Sequence, residues 1–170
     1  MMHRNECETP ADLYALIDKE FHPTLDVAAT CENAKTATYF TAEKNGLVQD
    51  WDTQTCYLFP PETNGKNEYV LPDWLRKAAE TAQNGATVIA LVHAETGARW
   101  FYDYARRAVE IRFLVDRVRL DCPVSKDHIA VRDMDAALLI FRPETDPPKE
   151  RGLITWWDWK KNLDEQSDDD

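Results

Sequence analysis

The sequence predicts an α/β protein built on a mostly parallel sheet. Strand-length apolar runs alternate with segments of helical periodicity, the pattern of parallel crossovers. Residues 86–92 are almost continuously apolar, as in a strand covered on both faces. At 170 residues the chain has the length of one domain and can bury a single core. Its 44% hydrophobic and 30% charged residues fit an ordinary globular protein.

The elements follow in order. Thr9 reads as the N-cap and Pro10 as the first position of a helix over residues 10–20, burying Leu13, Leu16 and Ile17. Leu25 opens a short apolar run to Ala29 with Asp26 inside it. Residues 31–37 are expected to make a helical turn, and Tyr39-Phe40 a short strand before the Lys44-Asn45-Gly46 turn. Residues 55–59 read as a strand and 63–67 as a Gly/Asn-containing loop. A helix over Leu71–Gln83 is closed by Asn84-Gly85. After the apolar strand come a helix over 98–108 and strands over 109–115, 118–120 and 136–141. No helical pattern separates the last two strands, which predicts an antiparallel hairpin at one edge of the sheet. Pro143, Pro147 and Pro148 mark the expected end of the packed body. They divide a domain over residues 1–148 from a Trp-rich acidic extension over 149–170.

The formal charge is −11 and the isoelectric point about 4.8. Nucleic-acid binding draws on counterion release and a basic track, so an acidic surface weakens it. Residues 158–170 hold six acids and two lysines, a solvated tail in the plain reading. The remainder still carries −7. Cys7, Cys31, Cys56 and Cys122 show no CxxC spacing, which argues against a disulfide framework or a zinc site. The four histidines are equally dispersed, and no metal motif is visible. No apolar run suits a signal segment or a membrane span, so a cytoplasmic protein is expected.

In an open α/β sheet, ligands bind at the carboxyl ends of the strands. Three such places carry chemistry. Asp26 is followed by Val27, Ala28 and Ala29, small enough to let a cofactor approach the backbone. Asp50 and Trp51 offer an acceptor and a stacking ring. Phe59-Pro60-Pro61-Glu62 closes the strand over 55–59. Taken singly, a strand-end Asp is more often a turn residue, and a Pro-Pro pair is more often only a loop.

Order and spacing add weight. Glu8-Thr9-Pro10, the stretch from Phe21 to Lys35 containing Leu25-Asp26-Val27-Ala28-Ala29, Tyr39 to Leu47, and Gln49-Asp50-Trp51 resemble the phage-type DNA N-6-adenine methyltransferases (Dam-like family). The likeness continues through Trp74 to Ala78, Gly85 to Val88, Arg99-Trp100-Phe101, Glu110 to Leu114 and Leu138 to Pro143. The resemblance implies a Rossmann-like, S-adenosylmethionine-dependent methyltransferase fold, with DNA as the partner and the host cytoplasm as the location if a phage encodes the chain. It assigns Thr9, Pro10, Asp26, Ala28 and Ala29 to the cofactor pocket, and Asp50 and Trp51 to the neighbourhood of the cofactor's adenine. Asn45 replaces the acid that the family carries before Gly-Leu.

The family's catalytic motif is Asn or Asp, Pro, Pro, then Tyr or Phe. An exocyclic amine is a poor nucleophile because its lone pair is delocalised. The enzyme extrudes the base, and a side-chain oxygen and a proline carbonyl accept the amine hydrogens while an aromatic ring stacks on it. Pro60 and Pro61 keep the frame; Phe59 offers no acceptor and Glu62 no ring. Losing one oriented hydrogen-bonding partner costs on the order of 10²–10³ in rate. Glu62 is a possible surrogate acceptor. His93-Ala94-Glu95-Thr96 stands where the family has Pro-Ala-Arg-Thr, exchanging a cation for an anion, and Asp135-Ala136 replaces a Pro-Ser pair.

Trp156, Trp157 and Trp159 admit two readings, an aromatic clasp on the sheet or an anchor for a protein partner. Two functions stand side by side. One is a DNA adenine methyltransferase with an altered loop. The other is a non-catalytic homologue that binds or regulates, with DNA mimicry or anti-defence action among its forms.

Overall fold

A computed structural model describes residues 7–63, 66, 68–125, 128–143 and 153–164. In chain order the elements are α1 (Ala11–Phe21), β1 (Leu25–Asp26), β2 (Thr38–Tyr39), β3 (Thr55–Leu58), α2 (Leu71–Gln83), β4 (Thr87–His93), α3 (Arg99–Ala105), β5 (Glu110–Leu114), β6 (Val118–Ser125), β7 (His128–Met134), β8 (Ala136–Phe141), β9 (Leu153–Trp157) and α4 (Lys161–Asp164). A 3₁₀ turn spans Gly46–Val48. None of the described helices is long and apolar enough to cross a membrane.

Seven strands form one sheet in the order β2-β1-β3-β4-β8-β5-β9. All run in one direction except β8, which is antiparallel to both β4 and β5. Every residue of β8 is buried, so it needs cover on both faces and a neighbour on both sides. The expected antiparallel hairpin is present, with a different second strand. β6 pairs with β7 in a separate two-stranded ribbon, and β8 lies inside the sheet. β7 escaped sequence reading because its charged and exposed apolar residues show no burial pattern.

Both sheet faces are packed. Along β4, Val88, Ala90 and Val92 face the side covered by α2 and α3, where Trp51, Trp74, Leu75 and Phe101 join them. Ile89 and Leu91 face the side covered by α1, with Leu13, Ile17, Tyr57 and Leu138. The apolar faces of α1 and α2 recur at three- and four-residue spacing, as the sequence predicted.

Four expectations need correction. Pro10 occupies the N-cap position of α1 without a side-chain cap, because the Thr9 hydroxyl is drawn to Tyr57 instead. Residues 31–37 make turns and bends and no helix. The prolines at 143, 147 and 148 do not end the sheet: β9 pairs in parallel with β5 beyond them. Finally, Cys7 and Cys122 form a disulfide across 115 residues of sequence. Spacing cannot reveal such a bond, because the fold alone brings the N-terminal arm beside β6. The acidic residues from 165 onward lie outside the described residues.

Arg112 on β5 ties three elements together. Its Nη1 and Nη2 each donate to the Glu20 carboxylate at 2.6 Å, and its Nε donates to Glu110 at 2.6 Å. The guanidinium also lies 5.3 Å from the Phe21 ring and 5.9 Å from that of Trp157. Burial works to raise the Glu110 carboxyl, but the Arg112 bonds prevail and hold it below the usual range. A depressed carboxylate stabilises the fold above its unfolded pKa and loses that contribution as pH falls through the folded value. Arg112→Ala is therefore expected to lower the unfolding free energy by about 2–4 kcal/mol at neutral pH. Urea titrations between pH 7 and pH 3 should show the gap between variant and parent narrowing in acid.

Candidate functional site

The carboxyl ends of β1, β3 and β4 converge with the first residue of β8. Asp26, the last residue of β1, is 3% exposed. Its Oδ2 accepts from the Lys35 amide at 3.0 Å and its Oδ1 from the Ala28 amide at 3.3 Å. Burial raises its carboxyl above the usual range, against the pull of those two bonds. Beyond Asp26 the chain stays close to the sheet: Val27 donates to the Tyr57 carbonyl at 3.1 Å and Ala29 to that of Phe40 at 3.0 Å.

Tyr57, the register partner of Asp26 on β3, is almost wholly buried. Its hydroxyl meets Thr9 Oγ1 at 2.7 Å, and the Tyr14 ring packs edge-on against its own at 5.1 Å. Burial pushes both phenols up, so they remain protonated hydrogen-bonding groups. The Tyr14 hydroxyl is enclosed and has no hydrogen-bond partner among the described residues. Lys35 extends the cluster by pairing with Glu8 at 2.8 Å. Thr9, Asp26, Ala28 and Ala29 are thus gathered at one corner of the sheet, with Pro10 next in the chain to Thr9.

Asp50 stands at the surface and Trp51 in the core behind the Gly46 turn. Trp51 is fully buried, stacked on Trp74 at 6.0 Å with the Lys77 ammonium 5.0 Å from its centroid. Its ring is therefore spoken for. It acts on the corner through Gly46, whose carbonyl accepts from Trp51 Nε1 at 2.9 Å. Asp50 is exposed and accepts from the Asp52 amide at 2.8 Å.

Sequence reading missed Gly46, Tyr57 and Tyr14. A Cβ at Gly46 would lie 2.1 Å from the Val27 carbonyl oxygen, so only glycine permits this approach. Asn45 before it adopts φ 50° and accepts from the Leu47 amide at 3.3 Å, a left-handed turn that Asn tolerates. The Asn-Gly turn was visible, but its docking beneath β1 was not. Tyr57 looked like ordinary strand filling.

The Phe59–Glu62 segment leaves β3 beside this corner. Phe59 packs against the core cluster under α1. Pro60 is buried, and Pro61 and Glu62 are half-buried. Glu62 Oε1 lies 3.5 Å from Nε2 of His93, the last residue of β4. The Glu62 carbonyl accepts from the Val70 amide at 2.8 Å, which ties the loop to the start of α2. Between Phe59, Pro60, Glu62, His93, Leu120 and Arg132 lies a cleft of about 40 Å³. Enclosed cavities that take up benzene are nearer ~150 Å³, so this cleft is small. Asp135 also reaches this end: its carbonyl accepts from Ala94 at 2.8 Å and its carboxylate pairs with Arg117 at 3.1 Å. Positions 59, 62, 93 and 135 therefore cluster at the same strand ends.

The tryptophans divide between the two readings. Trp159 is buried under the α1 side, Trp157 is partly buried there, and Trp156 is 75% exposed with Phe113 5.3 Å away. Gly46→Ala is expected to cost about 1–3 kcal/mol through backbone displacement at Val27, measurable by chemical denaturation.

The family described as DNA N-6-adenine-methyltransferase (Dam) matches residues 2–167. A DNA N-6-adenine-methyltransferase of Haemophilus phage HP1 (strain HP1c1) is 30% identical over 92 residues, 54% of this chain and 50% of that protein. The matched region spans about half the length of that curated relative. With nearly the whole sequence matched, the chain belongs to the DNA N-6-adenine-methyltransferase (Dam) family.

Proposed function

We propose that the chain binds S-adenosylmethionine at the Asp26 corner and has lost efficient methyl transfer to adenine, so that it acts as a binding or regulatory member of its family. The observation that carries this reading is the pair of replacements at the end of β3. Phe59 turns into the core cluster, and Glu62 stands beside His93.

The corner fits the cofactor chemically. Asp26 offers a buried carboxylate to a positively charged ligand, Ala28 and Ala29 have short side chains, and the enclosed Tyr14 hydroxyl has hydrogen-bonding capacity to spare. Thr9 and Pro10 border the same corner through the Tyr57 contact. Trp51 contributes from behind, through the Gly46 turn, and Asp50 is carried in this reading as an acceptor near the cofactor's adenine. When bound, S-adenosylmethionine supplies an electrophilic methyl group. What the loop must add is an acceptor that turns the amine lone pair toward it, and Phe59 has none.

Recognition of DNA follows from the family, and the formal charge of −11 opposes it. Among the described residues, Lys35, Arg117 and Lys160 already face carboxylates. A protein partner would find Trp156 as its exposed anchor. A cytoplasmic location accords with this reading.

Calorimetry with S-adenosylmethionine and its demethylated product tests the first half. Binding is expected, with Asp26→Asn weakening it at least tenfold. Incorporation of labelled methyl groups into adenine-containing DNA tests the second half. The wild-type chain should stay at background, and Phe59→Asn with Glu62→Tyr should raise incorporation above it. Methyl transfer by the unaltered chain at rates within tenfold of that double variant would overturn the proposal and make Glu62 a working acceptor.

A further inference from the structure

We propose that the Cys7–Cys122 bond is a redox-controlled latch on the cofactor corner: closed, it holds the arm that supplies Thr9, and opened by a dithiol it lets that arm go. The inference rests on the reading of the Asp26 corner as the cofactor site.

The arm over residues 7–10 has no helix or strand of its own, only an isolated bridge from Glu8 to Asp121. Cys7 and Thr9 are buried, and the Tyr14 amide donates to the Pro10 carbonyl at 3.0 Å. The Glu8 amide donates to the Asp121 carbonyl at 2.7 Å, the Glu8 carboxylate pairs with Lys35 at 2.8 Å, and Thr9 meets Tyr57 at 2.7 Å. The Glu8 side chain is 49% exposed, so solvent weakens its ion pair. Single hydrogen bonds contribute little net stability. The disulfide differs in kind: it fixes the arm to β6 across 115 residues of intervening chain.

Its position reaches both halves of the site. Cys7 stands two residues before Thr9 and also lines the cleft beside Phe59 and Pro60. Cys122 is on the buried face of β6, one strand position beyond Asp121. Opening the bond frees one wall of the cleft and the covalent hold on Thr9 together. The two other cysteines are free and poorly suited to exchange with it. Burial pushes the Cys56 thiol up to about 12, and the hydrogen bond to the Glu32 carboxylate raises that of Cys31.

The chemistry balances with a dithiol as reductant. One of its thiolates attacks a sulfur of the pair and expels the other as a thiolate. Its second thiol then resolves the mixed disulfide. Two electrons and two protons pass to the chain, leaving Cys7 and Cys122 as thiols and the reductant as a cyclic disulfide. In a reducing compartment such as the cytoplasm the pair rests open and the corner binds its cofactor weakly, and oxidation closes the pair and raises that affinity.

The full chain, oxidised or reduced with dithiothreitol, can be compared by equilibrium dialysis against labelled S-adenosylmethionine. Alkylation and mass spectrometry count thiols, and amide exchange follows residues 7–10. The expected result is two thiols before reduction and four after it, at least tenfold weaker binding when reduced, and faster exchange in the arm. Cys7→Ser with Cys122→Ser should bind like the reduced chain and ignore the reductant. If that variant does not fold, the two states of the unaltered chain still decide. Four thiols without reductant, or equal affinity in both states, overturns the latch and leaves the cofactor reading standing. Absence of binding in either state sinks the cofactor reading and the latch with it.

Discussion

The insertion of β8 between β4 and β5 is the constraint on which the rest of the structure depends. Six register pairs, from Val88 with Phe141 to His93 with Ala136, join β8 to β4, and four more join it to β5. Its reversed direction brings Asp135 to the same end of the sheet as Asp26, Phe59 and His93. The chain leaves β5 at that end as well and must return to it to start β8. The β6–β7 ribbon fills this interval, which is why it stands over the strand ends and reaches the N-terminal arm.

Two charged residues show how burial is used differently in the two halves of the molecule. Arg112 is satisfied by Glu20 and Glu110 and sits among aromatic faces, so it serves the framework. Asp26 is more enclosed than Arg112, yet its described partners are backbone amides. A buried carboxylate held by amides, with its carboxyl raised by burial, is costly to the fold at neutral pH. Costs of this kind concentrate where a protein binds ligands.

Legibility in the sequence followed periodicity. α2 was predicted over its full length because Leu71, Trp74, Leu75, Ala78 and Ala82 repeat with the helical period. β4 and β8 stood out as continuous apolar runs. β9 did not, because an edge strand with Leu153, Ile154 and Trp156 exposed carries no alternation a reader would trust, and prolines precede it. At the candidate site, local patterns single out Asp26, Ala28, Ala29 and the Pro-Pro pair, which the fold places at neighbouring strand ends. Tyr57 with Thr9, Gly46 against Val27, and Cys7 with Cys122 were not legible. Each is a contact between distant segments, and such contacts leave no spacing signal.

The Phe59–Glu62 loop also has an energetic meaning beyond the chemistry it lacks. An amide or carboxylate at position 59 has to be kept dry and oriented, with its acceptor uncommitted until a base arrives. That arrangement costs stability, because an unpaired polar group is buried. Phe59 instead adds apolar surface to the cluster formed by Leu13, Ile17 and Leu91, and Glu62 gains the neighbouring imidazole. An apolar residue at the end of β3 therefore favours the fold over an uncommitted acceptor, the usual direction of the balance between stability and activity. The Asp26 corner, by contrast, keeps a buried carboxylate held by backbone amides.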